Sequence, residues 1–168
     1  MAISIGINGF GRIGRVALRI AISQPDTFKL CGINVRNADL DYMKYMVRYD
    51  STFGRFRGEL DTYEQGLIIN GQKIPVFSES DASLIPWDSC GAEYIIDATG
   101  AYCTTQKAMD HLQGGAKKVI ISAPAKDEET PTFIMGVNHT EYNSDMPVVS
   151  NASCTTNCLA PICKILED

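Results

Sequence analysis

The sequence predicts an α/β fold: a doubly wound, mainly parallel sheet with helices on both faces. Three observations carry that expectation. Short apolar strand-like runs alternate with stretches of helical period. A glycine-rich turn joins the first strand to the first helix. The 168 residues, 45% of them hydrophobic and 21% charged, are enough to close one core around such a sheet.

In chain order, residues 3–8 (ISIGIN) read as a buried strand. Residues 12–23 follow as a helix whose apolar face is Ile13, Val16, Ala17 and Ile20, at i, i+3, i+4 and i+7. Residues 29–34 read as a strand and 39–48 as a helix. Residues 56–77 are strand-like and rich in turns, with Asn70-Gly71 marking a hairpin. Residues 94–97 (YIID) form a short strand ended by Thr99-Gly100. Residues 104–112 are helical, stopped by Gly114-Gly115, and 117–121 are a further strand. Residues 133–136 and 147–149 read as short strands. From Ser153 a last helix carries an apolar stripe of Leu159, Ile162, Cys163 and Leu166. Strands alternating with helices imply βαβ units. Residues 1–150 are read as one dinucleotide-binding domain. Residues 151–168 are read as a nucleophile-bearing helix opening a substrate domain, because the stripe is still running at Leu166.

Composition narrows the function classes. The net charge of −5 argues against general nucleic-acid binding, and no apolar run is long enough to span a bilayer. Met1 to Ile5 enter a strand pattern directly, without a basic leader, which points to a cytoplasmic protein. The six cysteines, at 31, 90, 103, 154, 158 and 163, are read as thiols in a reducing compartment. No metal site is expected from their spacing. Cys158 and Cys163 fit buried structural positions.

Gly9-Phe10-Gly11-Arg12-Ile13-Gly14 matches G-x-G-x-x-G in the context it requires, after a strand and opening an amphipathic helix. Gly9 allows the tight turn, Gly11 lets backbone approach a pyrophosphate, and Gly14 lets the helix pack close to the strand. The helix N-terminus favours the negative charge. This is a Rossmann-type fingerprint. Its usual acid, about twenty residues on, is missing: the end of the second strand reads Asn34-Val35-Arg36. Arg36 could pair with a 2′-phosphate, which opens NADP beside NAD. Alternatively Asn34 or backbone groups hold an NAD ribose and Arg36 is simply exposed.

Ser150 to Cys158 (SNASCTTNC) leads from a strand into the last helix. Cys154 falls in its first turn, where free amides and the helix dipole favour a thiolate, a plausible nucleophile toward a carbonyl. Ser153, Thr155 and Thr156 can cap the helix or bind anions.

These segments resemble phosphorylating glyceraldehyde-3-phosphate dehydrogenases, in their N-terminal, cofactor-binding half. The resemblance rests on INGFGRIGR at 7–15, YDSTFGRFRG at 49–58, LIINGQKIPVF at 67–77, HLQGGAKKVIISAPAKD at 111–127, MGVNH at 135–139 and SNASCTTNCLAP at 150–161. It implies that the cysteine matching Cys154 attacks the aldehyde of glyceraldehyde 3-phosphate to give a thiohemiacetal. Hydride passes to the nicotinamide, leaving a thioester, and inorganic phosphate releases 1,3-bisphosphoglycerate. It further implies cofactor contacts at Arg12, Ile13, Thr99, Gly100 and Ser122, substrate or phosphate contacts at Ser153 and Thr155, and a homotetramer. Val35 stands where the family usually has a ribose-binding Asp, and Ser80 where many members have an Arg near the adenine. Neither His111 nor His139 matches the family's base histidine. The chain alone is therefore expected to bind cofactor without turning over. Alternatives are an erythrose-4-phosphate dehydrogenase or a non-catalytic nucleotide-binding module.

Overall fold

A computed structural model describes residues 2–167. The ends of the two expected domains, Met1 and Asp168, lie outside the described residues. Strands β1 (Ile3–Asn8), β2 (Phe28–Asn34), β7 (Gln72–Phe77), β8 (Tyr94–Asp97), β9 (Lys118–Ile121) and β10 (Val148–Ser150) run parallel to one another. β5 (Leu60–Tyr63) and β6 (Gly66–Ile69) extend one edge antiparallel. The eight-stranded order is β10-β9-β8-β1-β2-β7-β6-β5. From β1 and β2 the chain crosses to the far edge at β5, comes back inward through β6 to β7 beside β2, and then lays β8 on the other side of β1. That reversal opens a crevice at the carboxyl ends of the central strands.

Most elements fall where the residues predict them. The β6–β7 hairpin turns on Asn70 and Gly71, with φ of 50° and 79°, as a two-residue loop with both central residues left-handed requires. A two-stranded ribbon, β3 (Tyr49–Asp50) with β4 (Gly54–Arg55), follows helix α2 (Leu40–Arg48), which Asp39 caps by accepting from the Tyr42 amide at 3.0 Å. The expected helix over 104–112 forms as two short turns, α4 (Thr105–Ala108) and α5 (Asp110–Gln113), with Thr104 accepting from the Lys107 amide. Among the described residues no helix is long and apolar enough to cross a membrane.

Both faces of the sheet are covered. On one, Leu18 and Ala21 of α1 (Arg12–Ser23) and Met43 and Val47 of α2 pack on Ile5, Ile7, Leu30 and Ile33. On the other, Trp87 of α3 (Trp87–Cys90) packs with Cys31, Ile85 and Ile95.

Three sequence expectations need correction. The buried stripe of α1 is Gly14, Leu18 and Ala21, whereas Ile13 and Ile20 are about half exposed. Gly14 must lie against the Gly9 turn, and that contact fixes the rotation of the helix and turns Ile13 and Ile20 outward. Residues 133–136 are not a strand. The Asn138 side chain accepts from the Ile134 amide at 2.8 Å and donates to the Thr132 carbonyl at 3.0 Å, taking up groups a ladder would use. A single bridge, Thr132 to Ser150, remains. Finally, α6 (Cys154–Glu167) contains no buried residue. Leu159, Ile162 and Leu166 are 52–82% exposed and Cys158 and Cys163 are exposed, because no described element packs over their face of the helix.

Candidate cofactor site

Three strands end in a polar residue, and the parallel register sets those residues side by side: Asn8 pairs with Asn34 of β2 and Asp97 of β8. All three are buried, so each polar atom needs a partner. The Asn8 amide donates to Asp97 Oδ2 at 2.8 Å, and its oxygen accepts from Asn34 Nδ2 at 2.8 Å. Asn34 in turn grips the backbone of Glu79, accepting from its N–H at 2.9 Å and donating to its carbonyl at 3.0 Å. Asp97 Oδ1 accepts from the Thr99 amide and hydroxyl, at 3.1 and 2.7 Å. Behind them, Asp97 Oδ2 meets His111 Nε2 at 3.1 Å, and the Trp87 indole N–H donates to His111 Nδ1 at 3.1 Å. One connected network thus ties the loops after β1, β2, β7 and β8 to the core beneath them.

Above this floor lies a cavity of about 770 Å³, within the usual range for a small-molecule site. The glycine turn forms one wall. Gly9 has φ +97°, and a Cβ there would sit 2.9 Å from the Ala98 carbonyl. A Cβ on Gly14 would lie 2.0 Å from the Gly9 carbonyl oxygen, which shows how closely α1 approaches the turn. A Cβ on Gly11 would meet nothing within 4 Å. Gly11 therefore presents bare backbone to open space at the start of a twelve-residue helix, whose first amides lack intrahelical partners. That cradle suits a pyrophosphate. Arg15 braces the turn by donating to the Phe10 carbonyl at 2.8 Å.

Of the sequence-predicted residues, Gly9, Gly11, Asn34, Val35, Arg36, Ser80 and Thr99 line the cavity. Arg12 does not. Its guanidinium donates to Asp50 and, at 3.0 Å, to Ser51, and that pairing holds the Asp50 carboxyl well below the usual carboxylate range. Ile13 and Gly14 follow on α1, and Gly100, with φ +72°, follows Thr99. Ser122 lies after β9, its amide donating to the Asp97 carbonyl at 2.9 Å, on the same edge of the sheet. The sequence reading missed Ser78, Glu79 and Tyr102 as lining residues. Tyr102 accepts from the Ala82 amide at 3.0 Å and donates to the Ser80 carbonyl at 3.3 Å, holding that wall in place. The signal for the buried floor was legible: each of three apolar strands closes on a single Asn or Asp.

Ser153, Cys154 and Thr155 sit at the carboxyl end of β10, outside the residues that line the cavity. Ser153 caps α6, its hydroxyl accepting from the Thr156 amide at 2.9 Å and lying 2.8 Å from Thr155 Oγ1. Cys154 opens the helix with an exposed thiol. The segment reaches it through Ala152, whose φ is +58° and whose amide donates to Ser150 Oγ at 3.1 Å. His111 is buried in the floor network. His139 is on the loop between β9 and β10, accepting from the Gly136 amide at 3.0 Å.

Comparison with known proteins agrees with this geometry. Residues 3–105 match the family model described as glyceraldehyde 3-phosphate dehydrogenase, NAD binding domain. The chain is 55% identical over 164 residues to a glyceraldehyde-3-phosphate dehydrogenase of Aspergillus oryzae, covering 98% of this chain and 48% of the relative. It is 52% identical to that of Aspergillus niger and 51% to that of Debaryomyces hansenii, in each case over the whole chain and 49% of the relative. The chain spans about half the length of the curated relatives it matches. A G-x-G-x-x-G turn over an open crevice, on a parallel sheet with this register, and a family match over more than half the residues together show that the chain belongs to the glyceraldehyde-3-phosphate dehydrogenase family, through its NAD-binding domain.

Proposed function

We propose that the chain supplies the cofactor half and the nucleophile for NAD-dependent oxidative phosphorylation of glyceraldehyde 3-phosphate. The observation that carries the cofactor part is Gly11, whose bare backbone faces the cavity at a helix N-terminus. In this reading the turn from Gly9 to Gly14 and the first amides of α1 hold the pyrophosphate. Asn34 to Arg36 and Ser78 to Ser80 flank the adenosine. Thr99, Gly100 and Ser122 border the nicotinamide end. When bound, NAD accepts a hydride from the substrate. With no carboxylate at position 35 and a guanidinium at 36, NADP is a second, weaker ligand.

Cys154 is the nucleophile of this reading. Its exposed thiol opens α6 just after Ser153. The thiolate adds to the aldehyde carbon, the resulting hemithioacetal loses hydride to become a thioester, and inorganic phosphate cleaves the thioester to release the acyl phosphate. Ser153 and Thr155 orient substrate or phosphate beside it. The proton on the hemithioacetal oxygen needs a base, and neither histidine has a free acceptor nitrogen for it: His111 is enclosed in the floor network, and His139 Nδ1 already accepts from the Gly136 amide. The base therefore comes from a substrate domain that begins with residues 151–168, which fits the uncovered face of α6. A homotetramer and a cytoplasmic setting follow the family reading.

The test is to titrate the 168-residue chain with NAD by calorimetry and assay it with glyceraldehyde 3-phosphate, NAD and phosphate. Binding without turnover is expected. Turnover at the rate of an intact dehydrogenase would contradict the need for a further base, and absence of binding would contradict the cofactor site.

A further inference from the structure

We propose that Glu79 is the residue that distinguishes NAD from NADP in this chain, taking the place of an acid at the end of β2. The inference rests on the reading of the cavity as the dinucleotide site. At the end of β2 the usual position holds Val35, half-buried and packed on the core, which can accept no hydrogen bond. The neighbouring amide of Asn34 is already committed to Asn8 and to the Glu79 backbone, so it is poorly free to read a ribose.

That commitment has a second consequence. By gripping both the N–H and the carbonyl of residue 79, Asn34 pins the Glu79 backbone against the end of β2, although 45 residues separate them in sequence. The Val35 amide adds a bond to the Phe77 carbonyl at 3.0 Å. Residues 77–79 therefore run alongside 34–36 as a fixed pair of segments rather than a loose loop. Glu79 is the one carboxylate that lines the cavity and Arg36 the one cation. Among the described residues, no ion pair uses either of them. One acid and one base, both without protein partners, border the adenosine side of the same crevice.

Their charges predict opposite responses to the two nucleotides. A ribose diol donates two hydroxyl protons, and a carboxylate accepts both in charge-assisted bonds. A 2′-phosphate removes one donor and adds negative charge, which Glu79 repels and Arg36 attracts. Glu79 keeps NAD preferred, and Arg36 keeps NADP within reach.

The test is Glu79→Gln in the 168-residue chain, with NAD and NADP titrated by calorimetry and urea unfolding as a check on the fold. Among the described residues the Glu79 side chain has no ion-pair partner, so the unfolding midpoint should not move. NAD binding should weaken by about tenfold and NADP binding tighten by a similar factor, the scale of one charge-assisted contact. Arg36→Gln added to that variant should cancel the gain for NADP. Glu79→Lys, a second variant, should favour NADP further. An unchanged ratio of NAD to NADP affinity in Glu79→Gln, whether both stay constant or both fall together, would overturn the proposal. A wild-type chain that binds neither nucleotide would overturn the cofactor reading itself, and this proposal with it.

Discussion

The Trp87 indole donates to Nδ1 of His111 at 3.1 Å, with both side chains fully buried. An indole N–H can only donate, so Nδ1 must carry the lone pair and Nε2 the proton. Nε2 in turn faces Asp97 Oδ2 at 3.1 Å. The pair fixes one tautomer of His111 and orients the carboxylate that holds Thr99 at the cavity. His111 is thus a positioning residue beneath the site.

Replacing His111 by Leu leaves the indole N–H without an acceptor and removes one donor from Asp97. Unpaired buried groups cost about 1–3 kcal/mol each, so His111→Leu should lower unfolding free energy by roughly 3 kcal/mol in a urea titration. His111→Gln, which keeps a donor and an acceptor, should recover part of it. Equal losses in the two variants would mean that shape, not hydrogen bonding, is what the site requires.

The two glycines of the turn should separate stability from binding. A Cβ on Gly14 would lie 2.0 Å from the Gly9 carbonyl oxygen, whereas one on Gly11 would meet nothing within 4 Å. Gly14→Ala should therefore destabilise the fold by about 1–3 kcal/mol, as overpacking does. Gly11→Ala should leave the melting temperature nearly unchanged and weaken NAD by at least about tenfold, because the methyl occupies the ligand's space. Thermal unfolding and calorimetry on the same two proteins read both effects.

Surface pairing at the start of α1 should give a measurable pH dependence. The Arg12 guanidinium, with amides of Phe53 and Thr52, holds the Asp50 carboxyl below its ordinary value. The folded state therefore favours the ionised form. The stabilisation is full above the unfolded carboxyl's range near pH 4 and is lost as pH falls below it. Wild type should exceed Asp50→Asn in stability at pH 6, and the gap should close progressively below pH 4. A gap independent of pH would assign the loss to something other than ionisation.

The six cysteines should divide into three sets. Cys154, Cys158 and Cys163 are exposed, Cys31 and Cys103 are buried, and burial pushes the half-buried Cys90 thiol up. A disulfide exchange reagent at pH 8 should modify three thiols quickly, with Cys90 lagging and the remaining two reacting on unfolding.

Position 35 gives a prediction about the nucleotide. Val35→Asp places a carboxylate where a 2′-phosphate would lie and should weaken NADP more than NAD in competitive titrations. Equal effects on the two would remove the role assigned to the end of β2.

The residues made most of the fold legible because local and long-range signals agreed. The glycine turn, the Asn70-Gly71 hairpin and the apolar strands all appear in place. The rotation of α1 was not legible, because it is set by how Gly14 meets the Gly9 turn, a contact that apolar periodicity does not record. Residues 133–136 look like a strand in composition, but Asn138, four residues beyond Ile134, takes the backbone groups. On α6 the stripe is apolar as its spacing predicts, yet its burial needs a partner that no described residue provides. Glu79 was out of reach of local pattern altogether, since only the pairing of β2 with β7 brings it beside Asn34.

We propose that the crevice at the carboxyl ends of β1, β2 and β8 is the dinucleotide site. The most direct measurement is calorimetric titration of the 168-residue chain with NAD, followed in parallel by fluorescence of its single tryptophan, which lies under the site through His111. Saturable binding of one dinucleotide per chain is expected, abolished or strongly weakened by Gly11→Ala. Absence of binding at millimolar NAD in a folded chain, or binding that Gly11→Ala leaves unchanged, would contradict it.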